Sequence, residues 1–159
     1  MKAFVVKGDV CYSRTMDELV CVEHGCVVVE DGRVTGVFGT LPERYAQLPV
    51  LDYGDALVMP GMTDLHVHAP QFSFRGLGMD MELLEWLNTY TFPEESKYQE
   101  LEYAERAYGS FVRHLLASTT TRAAVFATIH VPATELLMQK LDDAGLFCCV
   151  GKVNMNRNS

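Results

Sequence analysis

The sequence predicts an α/β protein, in which a small β unit is followed by repeated βα units. Residues 1–57 carry short β-rich runs, whereas strand-like and helical segments alternate over residues 58–159. Repeated βα units predict a parallel sheet with helices packed on it. The composition, with 48% hydrophobic and 21% charged residues, is that of an ordinary globular protein, which excludes a disordered or fibrous chain.

The β unit, residues 1–57, is predicted from its turns and its β-rich runs. Asp31-Gly32 separates two such runs and is a strong hairpin signal. A helical period occurs in this part only over residues 41–48, a short segment bounded by Pro42 and Pro49. The predicted strands cover residues 3–6, 19–22, 26–30 and 33–38.

The second part, residues 58–159, begins with the turn Pro60-Gly61, which leads into a strand over residues 62–68. Asp80 is expected to cap a helix over residues 81–90, and Phe92-Pro93 is expected to stop that helix. A longer helix follows. The three-and-four spacing of its apolar residues predicts a buried face made of Leu101, Ala104, Tyr108, Phe111, Val112 and Leu115.

Two further strands and one helix complete the pattern. Strands predicted over residues 121–129 and 146–153 enclose a helix that Pro132 opens and Gly145 ends. The residues expected to be buried on this helix are Ala133, Leu136, Leu137 and Leu141. A closed barrel of eight βα units takes about 250 residues, so if the sheet belongs to a barrel, this chain holds only its first strands.

The composition disfavours several classes of function. Lys and Arg total 13 and Asp and Glu total 21, so the net charge of −8 leaves no basic patch for a nucleic-acid backbone. The longest stretch without a charged residue, residues 123–134, is shorter than the ~20 residues that a membrane helix needs. Lys7 and Asp9 interrupt any signal-peptide core, so a cytoplasmic location is expected. The five cysteines form no CxxC motif and are expected to be reduced, with Cys21 and Cys148 buried in strands.

His66 and His68 are the most informative residues of the chain. Side chains two apart on a strand point to the same face, so both imidazoles, with Asp64 behind them, would project from one side of the sheet. Two imidazole nitrogens that bind one zinc ion must approach closely, which a shared face permits. Two histidines bonded to backbone or water are the alternative interpretation, and an HxH pair alone does not decide between the two.

The surroundings of this pair resemble the amidohydrolase superfamily. Asp64-x-His66-x-His68 directly follows an apolar run and a Pro-Gly turn, behind a β unit and ahead of βα repeats, which is the opening pattern of that superfamily. Within it the chain resembles the guanine deaminase family over nearly all of residues 58–155. The segments that carry this resemblance are 68–74 (HAPQFSF), 83–87 (LLEWL), 90–93 (YTFP), 119–121 (TTT), 126–130 (FATIH) and 151–153 (GKV).

The resemblance implies a fold and an activity. Residues 58–159 would form the amino-terminal portion of a metal-dependent (β/α)8 TIM barrel, and residues 1–57 part of a small β-sandwich domain. The activity would be the zinc-dependent hydrolysis of guanine to xanthine and ammonia, a step of purine catabolism. The full-length enzyme is expected to be a cytoplasmic homodimer.

The resemblance also implies roles for individual residues. His66 and His68 would be two ligands of one zinc ion per active site. The guanine base would be contacted by His68, Ala69, Pro70 and Gln71. A side-chain amide both donates and accepts hydrogen bonds, so Gln71 suits a base edge that carries both kinds of group, although a loop amide bonded to water is the alternative.

No catalytic residue is expected within this chain. In the family the acid/base glutamate, the remaining metal ligands and an arginine contact to the base lie on later strands. The acidic run that begins at Glu94 and Glu95 and ends at Glu105 is predicted to be a solvated loop and helix face. Two interpretations therefore remain open. The chain is either the amino-terminal part of a zinc-dependent guanine aminohydrolase, inactive alone, or a catalytically inactive truncated or split fragment that persists alone or associates with a partner, such as a complementary carboxyl-terminal chain.

The remaining aromatic and histidine residues are assigned to the core, to one strand face or to the surface. Phe72, Phe74, Trp86, Tyr90 and Phe92 are expected to pack mostly in the core. Alternation along the strand over residues 121–129 would place Phe126, Thr128 and His130 on one face, which turns His130 toward the site. His24 and His114 are predicted to be structural or surface residues.

Overall fold

Two compact units, Met1–Pro60 and Gly61–Ser159, make up the mixed α/β architecture of this protein. The computed structural model describes residues 3–155, and predictions that concern residues 1–2 and 156–159 lie outside the described residues. None of the helices within residues 3–155 is long and apolar enough to cross a bilayer. The assignment of residues 1–57 and 58–159 to separate domains stays a prediction.

The first unit is a four-stranded sheet in the order β3-β2-β1-β4. Strands β1 (Ala3–Ser13), β2 (Leu19–Glu30) and β3 (Arg33–Phe38) pair antiparallel, and β4 (Val50–Val58) pairs parallel with β1. The predicted hairpin is confirmed. Asp31 and Gly32 have φ values of 49° and 76°, as the two-residue turn that best fits the strand twist requires.

β1 is longer than predicted, the two predicted runs over residues 19–22 and 26–30 form the single strand β2, and β3 has the predicted bounds. β4 was not predicted as a strand. Over residues 41–48, where the sequence has a short helical period, the structure forms a 3-10 turn, Glu43–Tyr45, between Pro42 and Pro49. The core contains Val5, Cys26, Val28 and Tyr45. Cys21, which we expected to be buried, is exposed instead.

The second unit contains a parallel sheet in the order β5-β6-β7, formed by β5 (Met62–His68), β6 (Thr120–Phe126) and β7 (Phe147–Gly151). This confirms the predicted alternation of strands and helices. The two long helices, α3 (Leu101–Leu116) and α4 (Val131–Asp143), pack on this sheet. On α3 the buried residues are those predicted, except that Leu101 is exposed; on α4 Leu136 is only half-buried.

The segment between β5 and α3 differs most from its prediction. The expected helix over residues 81–90 is instead a short helix α1 (Leu83–Trp86), a π-helical turn Leu87–Thr91 and a second short helix α2 (Phe92–Ser96). Pro93 does not stop the helix, because it lies in the first turn of α2, where proline's missing N–H is not needed. Asp80 is not the cap, since Glu82 occupies that position.

The close approach of the Thr121 side chain makes Gly61 sensitive to substitution. A Cβ atom at residue 61 would overlap the side chain of Thr121, so we expect Gly61→Ala to destabilise the protein by about 1–3 kcal/mol. Gly109→Ala is the matched control. Its Cβ would lie 3.4 Å from the flexible end of Arg113, and alanine is favoured over glycine inside a helix by roughly 0.5–1 kcal/mol. Urea unfolding followed by Trp86 fluorescence should therefore shift in opposite directions for the two variants, and equal midpoints would contradict the overlap.

Candidate metal and substrate site

The two histidines of β5 converge on one point. Their Nε2 atoms lie 3.1 Å apart at the carboxyl end of the strand. The pairing of β5 with β6 is irregular between Asp64 and Val67, where one additional residue is accommodated on β5. The Asp64 carboxylate accepts a hydrogen bond of 3.0 Å from the backbone N–H of His66, so it stabilises this irregular backbone.

The spacing of the two nitrogens fits a tetrahedral metal site. Two nitrogens, each bonded to zinc at about 2.0–2.1 Å with a tetrahedral angle, lie roughly 3.3 Å apart. Within residues 3–155 no group of three or more His, Cys, Asp or Glu side chains is arranged to hold a metal ion. His66 and His68 therefore fit two positions of a four-coordinate site.

Phe126, at the end of β6, packs against both imidazoles. Its ring centroid lies 4.7 Å from that of each histidine, and it stacks on His68 with an interplanar angle of 12°. His68 and Phe126 are register partners in the parallel pairing of β5 with β6. The aromatic ring thus restricts the rotation of both histidines and orients their Nε2 atoms.

Burial lowers the pKa of His68 below its usual value, and the neighbouring His66 lowers this pKa further. A neutral imidazole has a free lone pair, which is the form that binds a metal ion. The side chain of His68 is half-buried, whereas that of His66 is exposed. At neutral pH His68 is therefore prepared to act as a ligand.

Gln71 lies directly behind His68. It belongs to the 3-10 turn Ala69–Phe74 that follows β5, and its Nε2 atom is 3.2 Å from Nδ1 of His68. The side chains of Ala69 and Pro70, in contrast, are buried. Of the four residues predicted to contact substrate, His68 carries one of the two converging Nε2 atoms, and Gln71 contacts the other ring nitrogen of His68, Nδ1. Ala69 and Pro70 offer mainly backbone groups.

A cavity of about 710 Å³ adjoins these residues. Its polar and aromatic lining includes Asp64, His66, His68, Gln71, Phe72, Arg75, Trp86 and His114. The Arg75 guanidinium lies 3.9 Å from the centroid of the Phe72 ring and donates to the Phe72 carbonyl. Arg75 and His114 were not predicted as cavity residues. Residues three apart on a helix are neighbours, and Phe111 lies on the buried face of α3. The sequence therefore contained a signal that His114 lies beside that face.

Glu94 and Glu95 are buried, so the prediction that they are solvated is wrong. Each is only 8% exposed. The carboxylate of Glu94 accepts hydrogen bonds from Ser73 at 2.6 Å, from Lys97 at 2.6 Å and from the hydroxyl of Tyr103. Since Ser73 belongs to the turn that carries Gln71, this network attaches the turn to helix α2.

The Glu94 network should contribute stability that depends on pH. Burial raises the pKa of Glu94, but hydrogen bonds from Lys97, Ser73 and Tyr103 outweigh burial and hold it below its usual value. The ionised carboxylate therefore adds stability at neutral pH, and this contribution is lost as the pH falls through the folded-state pKa. We expect Glu94→Gln to lower the free energy of unfolding at pH 7 by about 1.5–3 kcal/mol.

Urea unfolding of this variant and of the wild type, from pH 7 to about pH 3, tests the prediction. The difference in the free energy of unfolding between the two proteins should become smaller toward acid pH. Glu102→Gln is the matched control, because the exposed pair of Glu102 with Arg106 should contribute less than about 1 kcal/mol. A constant difference at all pH values would contradict the assignment.

His130 does not face the histidine pair. β6 ends at Phe126, so the alternation that would have carried Thr128 and His130 onto its face stops there. Thr128 is fully buried, and His130 lines a separate small cavity with Phe92 and Glu95. Burial raises the pKa of Glu95, and the nearby Gln71 amide acts in the opposite direction.

Comparisons with known proteins show similarity to the amidohydrolase family and, within it, to guanine deaminases. A model of the amidohydrolase family matches residues 57–159. Guanine deaminase from Dictyostelium discoideum is 44% identical over 113 residues, which cover 71% of this chain and 25% of that protein. Guanine deaminase from Escherichia coli (strain K12) is 37% identical over 142 residues, which cover 87% of this chain and 32% of that protein. The chain thus spans about a quarter to a third of the length of these curated relatives.

A solved structure is similar over the same region. The crystal structure of guanine deaminase from C. acetobutylicum, with guanine bound in its active site, matches with a TM-score of 0.93 and 41% identity. The match covers 99% of this chain and 38% of that one. The resemblance that the sequence motifs indicate therefore extends to the backbone.

Proposed function

The chain belongs to the amidohydrolase family, and from this premise we propose that it supplies the amino-terminal part of a zinc-dependent guanine deaminase. The reaction would be the hydrolysis of guanine: water adds to the ring carbon that carries the amino group, and ammonia leaves to give xanthine. The convergence of the two Nε2 atoms, together with the similarity to guanine deaminases on both sides of this motif, carries the proposal.

In the proposed site His66 and His68 hold the metal through their Nε2 atoms. Bound zinc would supply Lewis acidity, which lowers the pKa of a water molecule toward 7. Phe126 keeps both imidazoles oriented, and Asp64 holds the backbone from which they project. Gln71, next to His68, would offer its amide to the edge of the base.

We propose that β5, β6 and β7 are the first three strands of a (β/α)8 barrel, and that the first unit is part of a small β-sandwich domain. The carboxyl ends of barrel strands are where active sites lie in that fold, and the two histidines lie at the end of β5. The further ligands and the acid/base carboxylate would come from later strands. We therefore propose that the complete barrel, in a homodimer, carries the deaminase activity. We favour this over the alternative that the chain is a catalytically inactive fragment.

The test is the conversion of guanine by the protein in which this chain is combined with the rest of the barrel. Xanthine and ammonia should form in equal amounts, activity should be lost on chelation, and added zinc should restore it. Adenine and cytosine, which also carry ring amino groups, serve as comparison substrates. Turnover of either of these in preference to guanine would contradict the proposed substrate, and full activity after complete metal removal would contradict the role of zinc.

A further inference from the structure

Two thiols lie side by side on neighbouring strands of the first sheet. Cys11 on β1 and Cys21 on β2 are direct partners in the antiparallel pairing, and their Sγ atoms lie 3.6 Å apart. Cys11 is half-buried and Cys21 is exposed. The pair lies near the end of the hairpin at which residues 14–18 connect β1, which ends at Ser13, with β2, which begins at Leu19.

This arrangement permits a covalent bond between the two sulfurs. Directly opposed residues of antiparallel strands have Cα atoms about 4.5–5.5 Å apart, within the range of about 4.4–6.8 Å found in disulfides. The sulfurs must approach to about 2.05 Å, which requires a rotation of the two side chains and a small adjustment of the strand ends.

The remaining described cysteines lack such a partner. Cys26 is buried in the core of the sheet, opposite Lys7. Cys148 and Cys149 are neighbours on β7, where successive side chains point to opposite faces, and their partners on β6 are alanines. The juxtaposition of thiols across a strand pair is thus specific to Cys11 and Cys21 among the described cysteines.

We propose that Cys11 and Cys21 form a reversible redox site, which a hydroperoxide converts into a cross-strand disulfide. The exposed Cys21 sulfur is oxidised first to a sulfenic acid, while the hydroperoxide is reduced to an alcohol, or to water if it is hydrogen peroxide. The Cys11 sulfur then attacks that of Cys21, the S–O bond breaks, the S–S bond forms, and water leaves with the Cys11 proton. The site is independent of the deaminase reaction proposed above.

Hydrogen peroxide treatment of the reduced full chain tests this site. After oxidation and denaturation in the presence of a maleimide, the number of labelled thiols should fall from five to three, with a mass loss of two hydrogens. Trypsin should then release residues 8–14 linked to residues 15–33. A thiol reductant should restore all five labels.

Serine variants assign the bond. Cys11→Ser and Cys21→Ser should each abolish the linked peptide pair, whereas the matched control Cys26→Ser, whose cysteine shares the second peptide, should retain it. Five remaining thiols after treatment would overturn the proposal. So would a bond between two chains, a bond that persists in Cys21→Ser, or pairing that involves Cys148 or Cys149.

Discussion

Replacing His66 or His68 by alanine in the complete barrel is expected to remove most of the bound zinc and nearly all of the deaminase activity. Each imidazole supplies one of only four bonds in a tetrahedral site, and the two Nε2 atoms converge at 3.1 Å. A metal ion contributes several kcal/mol of transition-state stabilisation, so kcat/KM for guanine should fall by about a thousandfold or more.

Metal analysis of the purified variants, beside the guanine assay, checks this expectation. His24→Asn is the matched control, since His24 is an exposed histidine on the first sheet and asparagine tolerates its positive φ of 49°. That variant should keep both zinc and activity. Stoichiometric zinc in the variant that lacks both His66 and His68 would show that other residues bind the metal.

Replacing Gln71 by alanine is expected to weaken guanine turnover while zinc content at saturating metal stays intact. The amide lies 3.2 Å from His68 Nδ1, which places it beside the imidazole that we propose as a metal ligand, on the side away from the proposed metal-binding Nε2 atom. Losing a hydrogen bond that leaves a buried partner unsatisfied costs about 1–3 kcal/mol, so kcat/KM for guanine should fall by roughly 5- to 150-fold.

Gln71→Glu should have a larger effect than Gln71→Ala, because a carboxylate accepts hydrogen bonds but cannot donate them to a carbonyl of the base. The matched control is Gln139→Ala, an exposed amide on α4 that bonds only to Asp143 one turn away. We expect normal kinetics for that control. Unchanged guanine turnover in both Gln71 variants would make Gln71 an ordinary loop amide.

Local features of the chain could be predicted from the sequence, because their physical causes are local. The Asp31-Gly32 turn follows from residues that tolerate positive φ, and the buried face of α3 follows from the period of the helix. The convergence of His66 and His68 follows in the same way from their spacing on one strand. The resemblance of the motifs also predicted the amidohydrolase family, and the match of the family model to residues 57–159 confirms it.

The tertiary structure decided the features that depend on residues far apart in the chain. The sequence predicted Glu94 and Glu95 to be solvated, yet both are buried. The carboxylate of Glu94 is surrounded by Ser73, Lys97 and Tyr103, which lie before and after it in the chain. Alternation predicted Phe126 and His130 on one face of β6, but the strand ends at Phe126. Phe126 therefore packs on the histidine pair, whereas His130 lines a separate cavity.

The pairing of Cys11 with Cys21 likewise required the strand register, since a shift of one residue would have turned their side chains to opposite faces. Periodicity and turn chemistry thus determined the Asp31-Gly32 hairpin and the buried faces of α3 and α4, but not β4 or the helical turns between β5 and α3. Register and long-range packing determined which polar side chains meet, because their desolvation and hydrogen bonding depend on neighbours that no local pattern specifies.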